Sequence, residues 1–130
     1  MRLVRMHKIY WEFVRNLRNE FRKSFVEQSY IGVDSHEAFM SLYSSGYLVC
    51  LNKSEPIGFI GVKGSDIRFA VAGEHQGKGI GVFMLEEISR RFPNSIGKIK
   101  IDNKASIRTF EKAGFKKTFV IMEKNEDESV

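Results

Sequence analysis

What this chain lacks narrows its class before any motif is read. It has a single cysteine, Cys50, so no internal disulfide can form. No apolar run approaches the 18 or more residues of a membrane span, and no charged-then-apolar leader opens the sequence. Together these predict a soluble protein of a reducing compartment, with the cytoplasm as default and no membrane partner. His7, His36 and His75 are not at metal-ligand spacing from one another or from Cys50, which predicts no metal site. Internal repeats and low-complexity tracts are also missing, and 130 residues leave room for one domain of ordinary size.

What is present is an apolar fraction of 42% and a formal charge of +5. Residues 123–130 hold four acids against Lys124, so the first 122 residues carry +8. A basic body suits polyanionic ligands, coenzyme A and nucleotide sugars among them, and nucleic acid on charge alone. No basic-aromatic surface motif stands out, so nucleic acid is the weakest of these partners. The domain is expected over 1–124, followed by an acidic, frayed tail over 125–130.

Periodicity supplies the elements. Arg2 to Met6 reads as a short strand. Tyr10, Phe13, Val14, Leu17 and Phe21 recur at three- and four-residue steps, as one face of a helix would. A second helix, capped by Asp34 or Ser35, carries Phe39, Leu42 and Tyr43 on one side and ends near Gly46. Tyr47 to Leu51, Ile57 to Val62 and Ile67 to Val71 form a meander of antiparallel strands, with Cys50 in the core. A helix follows over Ile80 to Phe92, then a strand over Ile96 to Ile101, a helix opening at Asn103 and closing at Gly114, and a last strand over Thr118 to Met122. This order predicts an α/β (α+β mixed) domain, a mixed and mostly antiparallel twisted sheet flanked by helices.

Between the Ile67 strand and the Ile80 helix lies Gln76-Gly77-Lys78-Gly79-Ile80-Gly81. A glycine-rich turn from strand into helix gathers backbone N–H groups and the positive end of a helix dipole at one point, a cradle for phosphate. The spacing fits neither G-x-x-x-x-G-K-[ST] nor G-x-G-x-x-G. The order Q-x-x-G-x-G resembles the pyrophosphate loop of the GNAT superfamily of acyl-CoA-dependent N-acetyltransferases, and Asn103-Lys104-Ala105-Ser106-Ile107-Arg108-Thr109-Phe110-Glu111-Lys112-Ala113-Gly114-Phe115 is similar to that family's later motif.

The resemblance implies a GNAT-like domain, acetyl-CoA as the donor, and direct attack by a primary amine of a small molecule in a ternary complex. It implies that Phe69, Ala70 and Val71 line the pantetheine arm, with an N–H near Val71 polarising the thioester carbonyl. Gln76, Gly77, Lys78, Gly79, Ile80 and Gly81 would hold the pyrophosphate, and Asn103, Ser106 and Phe110 would face the cofactor. Phe110 stands where the family usually has a proton-donating tyrosine. Asp66 and His36 are candidate bases, with His75 and Glu74 flanking the loop. Leu17-Arg18-Asn19 and His36 before Phe39 resemble a branch that acetylates amino groups of nucleotide-linked sugars, which places Arg18, Asn19 and His36 at the acceptor. Protein, polyamine or aminoglycoside acetylation, and a CoA-binding module without turnover, are the alternatives. After Gly114 and Phe115 the chain has residues for one strand rather than the usual two, which leaves a sheet edge that a partner copy, as in a homodimer, could cover.

Overall fold

The computed structural model describes residues 1–25 and 28–125. The expected tail therefore lies almost entirely outside the described residues. Four strands, β1 (Arg2–Arg5), β2 (Tyr47–Asn52), β3 (Glu55–Lys63) and β4 (Asp66–Val71), pair in the order β1-β2-β3-β4, each antiparallel to the next. Helices α1 (Trp11–Glu20) and α2 (Val33–Tyr43) precede the meander, and α3 (Ile80–Arg91) and α4 (Lys104–Lys112) follow it.

Side chains alternate across the sheet, and the two faces feed two cores. Tyr47, Phe59 and Ala70 point to one face and pack with Val14 and Leu17 of α1 and Met40 of α2. Leu48, Cys50, Ile60, Val62, Ile67 and Val71 point to the other, against Ile80, Met84, Leu85 and Ile88 of α3 and Phe110 of α4. Cys50 is fully buried, as expected, and burial pushes its thiol pKa up. That position makes it an unreactive core residue.

The second helix differs from its expected form. It opens at Val33 with Gly32 at the cap position and no side-chain cap; Ser35 Oγ donates to the Gly32 carbonyl at 3.1 Å instead. Its inward residues are His36 and Met40, one turn apart, whereas Leu42 faces solvent. The Phe39 ring does pack on Tyr43, at 4.8 Å between centroids.

Two expected strands do not form as such. Of residues 96–101, only Ile96 joins the sheet, through a parallel bridge to Asp66: Ile67 N–H donates to the Ile96 carbonyl at 2.9 Å and Ile96 N–H to the Ser65 carbonyl at 2.8 Å. Beyond that bridge the segment leaves β4, because Phe110 packs between them. Its ring lies 5.6 Å from that of Phe69 and so close over Gly97 that any Cβ there would collide with it. Thr118 to Met122 carries no secondary structure and lies exposed. A strand exists only where a neighbour takes its hydrogen bonds, and these residues meet none within the described chain.

Candidate acyl-donor cleft

The parallel bridge at Asp66 fixes one end of a wedge-shaped gap. From there β4 and the 96–101 segment diverge, and the cleft between them, about 780 Å³ in volume, is lined by Asp66 to Val71 on one wall and by Lys98 and Ile99 on the other. Because Ile67 donates its N–H toward Ile96, the two-residue period of the strand turns the N–H groups of Phe69 and Val71 to the same side. Arg68 and Ala70 bond toward β3 on the opposite edge. The expectation of a cleft-facing N–H at Val71 thus has a geometric basis.

At the far end of β4 the glycine turn completes the cleft. Gly77 and Gly79 take φ of +79° and +80°, a region that L side chains resist, and a Cβ on either would meet open space. Gly79 occupies the N-cap position of α3 without any side-chain cap. The main-chain N–H groups of residues 77–82 have no acceptor among the described residues. Unsatisfied donors converging at a helix N-terminus fit a diphosphate. The Gln76 side chain is engaged elsewhere: its Nε2 donates to the Val71 carbonyl at 3.1 Å and clips the loop to the strand end. Gly81 answers a packing need, since a Cβ there would come within 2.9 Å of Thr109 and 3.2 Å of Phe69. Lys78 is exposed at the turn, outside the lining residues.

Helix α4 closes the cleft from the side. Asn103 caps it, Oδ1 accepting from Ser106 N–H at 3.2 Å, and Gly114, at φ +97°, ends it with Phe115 N–H returning to the Phe110 carbonyl. Both Asn103 and Ser106 border the cleft. Phe110 does so only by the edge of its ring, for it is 6% exposed and stacked edge-on against Phe69 and Phe115.

The acceptor-side residues separate. Arg18 is buried in the cleft wall with its guanidinium 4.6 Å over the Phe25 ring. Asn19 is not on that wall. It binds the main chain of Ile31 with both ends of its amide, accepting from N–H at 2.7 Å and donating to the carbonyl at 2.9 Å. His36 lies beneath the wall, 4% exposed and outside the cleft lining. Burial, and then the charges of Arg18 and Arg15, hold its pKa below the usual value, so it is neutral near pH 7. Asp66 is on the wall, half-buried, with its Oδ2 3.2 Å from Lys98 Nζ. At the rim, exposed Glu55 and Glu74 surround the half-buried His75, with the three side chains' ligand-type atoms within 4.8 Å of one another. Sequence spacing missed this cluster because Glu55 comes from β3.

Several cleft residues escaped the sequence reading: Arg68, Lys98, Arg108 and Lys112. For α4 a signal was there to be read. Ala105, Arg108, Thr109 and Lys112 recur at helical spacing, and that stripe is the one facing the cleft.

A cleft between splayed strands, ending in a bare-amide cradle at a helix N-terminus, has the form of a site for a diphosphate-bearing ligand. The profile of the acetyltransferase (GNAT) family matches residues 5–115, and the chain belongs to that family. No curated protein sequence matches it. Solved structures with the same fold include a ribosomal-protein-alanine N-acetyltransferase from Brucella melitensis, with TM-score 0.80, 14% identity, and coverage of 89% of this chain and 85% of that one. Another is a phosphinothricin acetyltransferase from Sinorhizobium meliloti in complex with acetyl-CoA, with TM-score 0.76, 18% identity, and coverage of 88% and 74%. A third is spermidine N-acetyltransferase from Vibrio cholerae with CoA and spermine, with TM-score 0.77, 19% identity, and coverage of 95% and 85%. No helix among the described residues is long and apolar enough to cross a membrane.

Proposed function

We propose that this acetyltransferase moves an acetyl group from acetyl-CoA to the primary amine of an anionic small molecule, a nucleotide-linked amino sugar being the class that fits best. The donor site is the cleft described above. Main-chain N–H groups of Gly77, Lys78, Gly79, Ile80 and Gly81 hold the pyrophosphate, and Lys78 adds charge near the adenosine end. Phe69, Ala70 and Val71 border the arm, with Asn103, Ser106 and the edge of Phe110 across from them. The N–H groups of Phe69 and Val71 are the donors available to a thioester carbonyl, where negative charge develops as the amine attacks.

In that reaction a C–N bond forms, the C–S bond breaks, and the nitrogen loses two protons: the second passes to solvent as the adduct collapses to the amide, and before attack the ammonium must lose the first. Asp66 is the candidate to take it, directly or through water, since of the two expected bases it is the one on the cleft wall. His36, neutral and enclosed, supports Arg18 from behind in this reading. Phe110 has no proton to give, so the departing thiolate takes its proton from solvent.

The observation that carries the acceptor class is charge. Arg18, Arg68, Lys98, Arg108 and Lys112 line the cleft against a single carboxylate, Asp66. The cofactor's phosphates answer the cations of α4, while Arg18 and Arg68 lie on α1 and β4, toward the acceptor. Such a wall attracts a diphosphate-linked amine and repels a polycation such as spermidine or an aminoglycoside. The test is thiol release from acetyl-CoA with a panel of amines: a nucleoside-diphosphate-linked amino sugar, the corresponding free amino sugar, spermidine, an aminoglycoside and an alanine-initiated peptide. The first should give the highest kcat/KM, and its KM should rise with salt. Preference for a polycation overturns the acceptor class, and CoA binding without thiol release from any amine overturns the catalytic reading.

A further inference from the structure

Lys63 and Arg68 are half-buried cations on the sheet, and among the described residues neither makes an ion pair or a hydrogen bond to a carboxylate or carbonyl. Buried Arg15, by contrast, has Glu12, and Lys98 has Asp66. What the two cations share is an aromatic ring. The Lys63 ammonium lies 5.5 Å from the centroid of Phe39 and 5.1 Å from that of Tyr43, and the Arg68 guanidinium lies 5.7 Å from the same Phe39. One ring divided between two desolvated charges is a weak substitute for a counter-ion.

A third group faces the same place. Tyr47, Gly61 and Arg68 stand in one row across β2, β3 and β4. The Tyr47 ring lies over Gly61, where any Cβ would collide with it, and crosses β3 toward Arg68. Its hydroxyl is buried, faces the charges of Arg68 and then Arg18, and finds no hydrogen-bond partner among the described residues. Burial pushes the phenol's pKa up, so the group stays neutral and supplies no counter-charge. Asp66 supplies none either: it pairs with Lys63 in the strand register, but its carboxylate is engaged by Lys98.

We propose that Lys63 and Arg68, floored by Phe39, form an anion subsite that takes the acceptor's diphosphate and directs its amine toward Asp66, with Tyr47 as the positioning residue behind Arg68. This subsite presupposes the anionic acceptor of the proposed function and says where its charge is held. Two cations without counter-ions, beside a buried hydroxyl without a partner, ask for a group with several acceptor oxygens. The subsite is continuous with the cleft, because Arg68 also lines it. Asp66 and Arg68 share a face of β4, two residues or about 7 Å apart, so a diphosphate on the cations leaves the far end of a sugar within reach of the base.

The test is calorimetric titration of the CoA-saturated protein, in which the glycine cradle is filled, with uridine diphosphate and inorganic pyrophosphate as probes and uridine as control. Both probes should bind and uridine should not. Lys63→Gln and Arg68→Gln should each weaken the probes by roughly tenfold, and Lys63→Arg should restore most of the loss. Tyr47→Phe, which keeps the ring over Gly61, should weaken them several-fold in the parent and have no further effect in Arg68→Gln, a coupling that a merely structural hydroxyl would not show. With turnover as readout, the same variants should lower the preference for a nucleotide-linked over a free amino sugar. Undiminished probe binding in Lys63→Gln/Arg68→Gln, uridine binding as tightly as its diphosphate, or an equal loss of CoA affinity in the variants overturns the subsite. The titration needs no chemistry, so absence of turnover with every amine would count against the catalytic reading alone.

Discussion

Asn19 on α1 holds Ile31 by both of its main-chain groups, accepting at 2.7 Å and donating at 2.9 Å, while Arg15, one turn earlier, donates to the same Ile31 carbonyl at 3.2 Å. A residue expected at the acceptor thereby proves to be a fastener for the segment that leads into α2. Asn19→Ala leaves the Ile31 N–H without its partner, while the carbonyl keeps Arg15, and should cost about 1–3 kcal/mol of stability. Urea unfolding checks this, and CoA affinity in the folded variant should stay within about twofold of the parent, since the amide lies off the cleft wall.

Gly79 separates charge from backbone strain. Asn and Asp both tolerate its positive φ better than other side chains, and a Cβ there meets open space. Gly79→Asp should therefore lose CoA affinity by at least about tenfold more than Gly79→Asn, as a carboxylate replaces a neutral amide beside the cradle. Calorimetric titration with CoA decides it. Equal affinities for the two variants would place the pyrophosphate elsewhere.

Gly97→Ala tests the wedge. Its Cβ would fall within the Phe110 ring, which is itself held by Phe69 and Phe115. Overpacking of this kind costs about 1–3 kcal/mol. Paired with Phe110→Leu, which vacates the space, the loss should be partly recovered. Thermal melts of the two single variants and the double complete the cycle.

His36 predicts a pH dependence with a definite sign. Its folded pKa is depressed by burial and by Arg18 and Arg15, so between that value and the usual histidine value near 6.5 the unfolded chain binds more protons. The contribution is complete above about pH 6.5 and is lost as pH falls through the folded pKa. His36→Gln should flatten the fall in stability between neutral and mildly acidic pH. An unchanged pH slope would mean the imidazole is already solvated.

Much of this architecture could be read from residue order, and the parts that could not share one cause. β2, β3 and β4 announce themselves because each is a short β-rich run bounded by turn residues and buried on both faces, and Asn103 and Gly114 act on neighbours three or four residues away. Gly77 and Gly79 are legible because the conformation they permit is local. Asn19, by contrast, takes its meaning from Ile31, twelve residues on in a stretch without periodicity. Leu42 fits a helical apolar stripe, but tertiary packing selects the turn of His36 and Met40 instead. Thr118 to Met122 has the composition of a strand, and composition does not say where the neighbouring strand comes from.

The bond from the Gln76 amide to the Val71 carbonyl joins the anion cradle to the end of β4 at a set spacing. In the donor site proposed above, cradle and strand would act as a ruler, in which the length of the cofactor's arm decides where its reactive carbon stops. An analogue longer or shorter by one methylene would bind through its phosphates yet present that carbon out of register with the Phe69 and Val71 amides, so recognition of the handle and alignment of the warhead are set by different parts of one rigid piece.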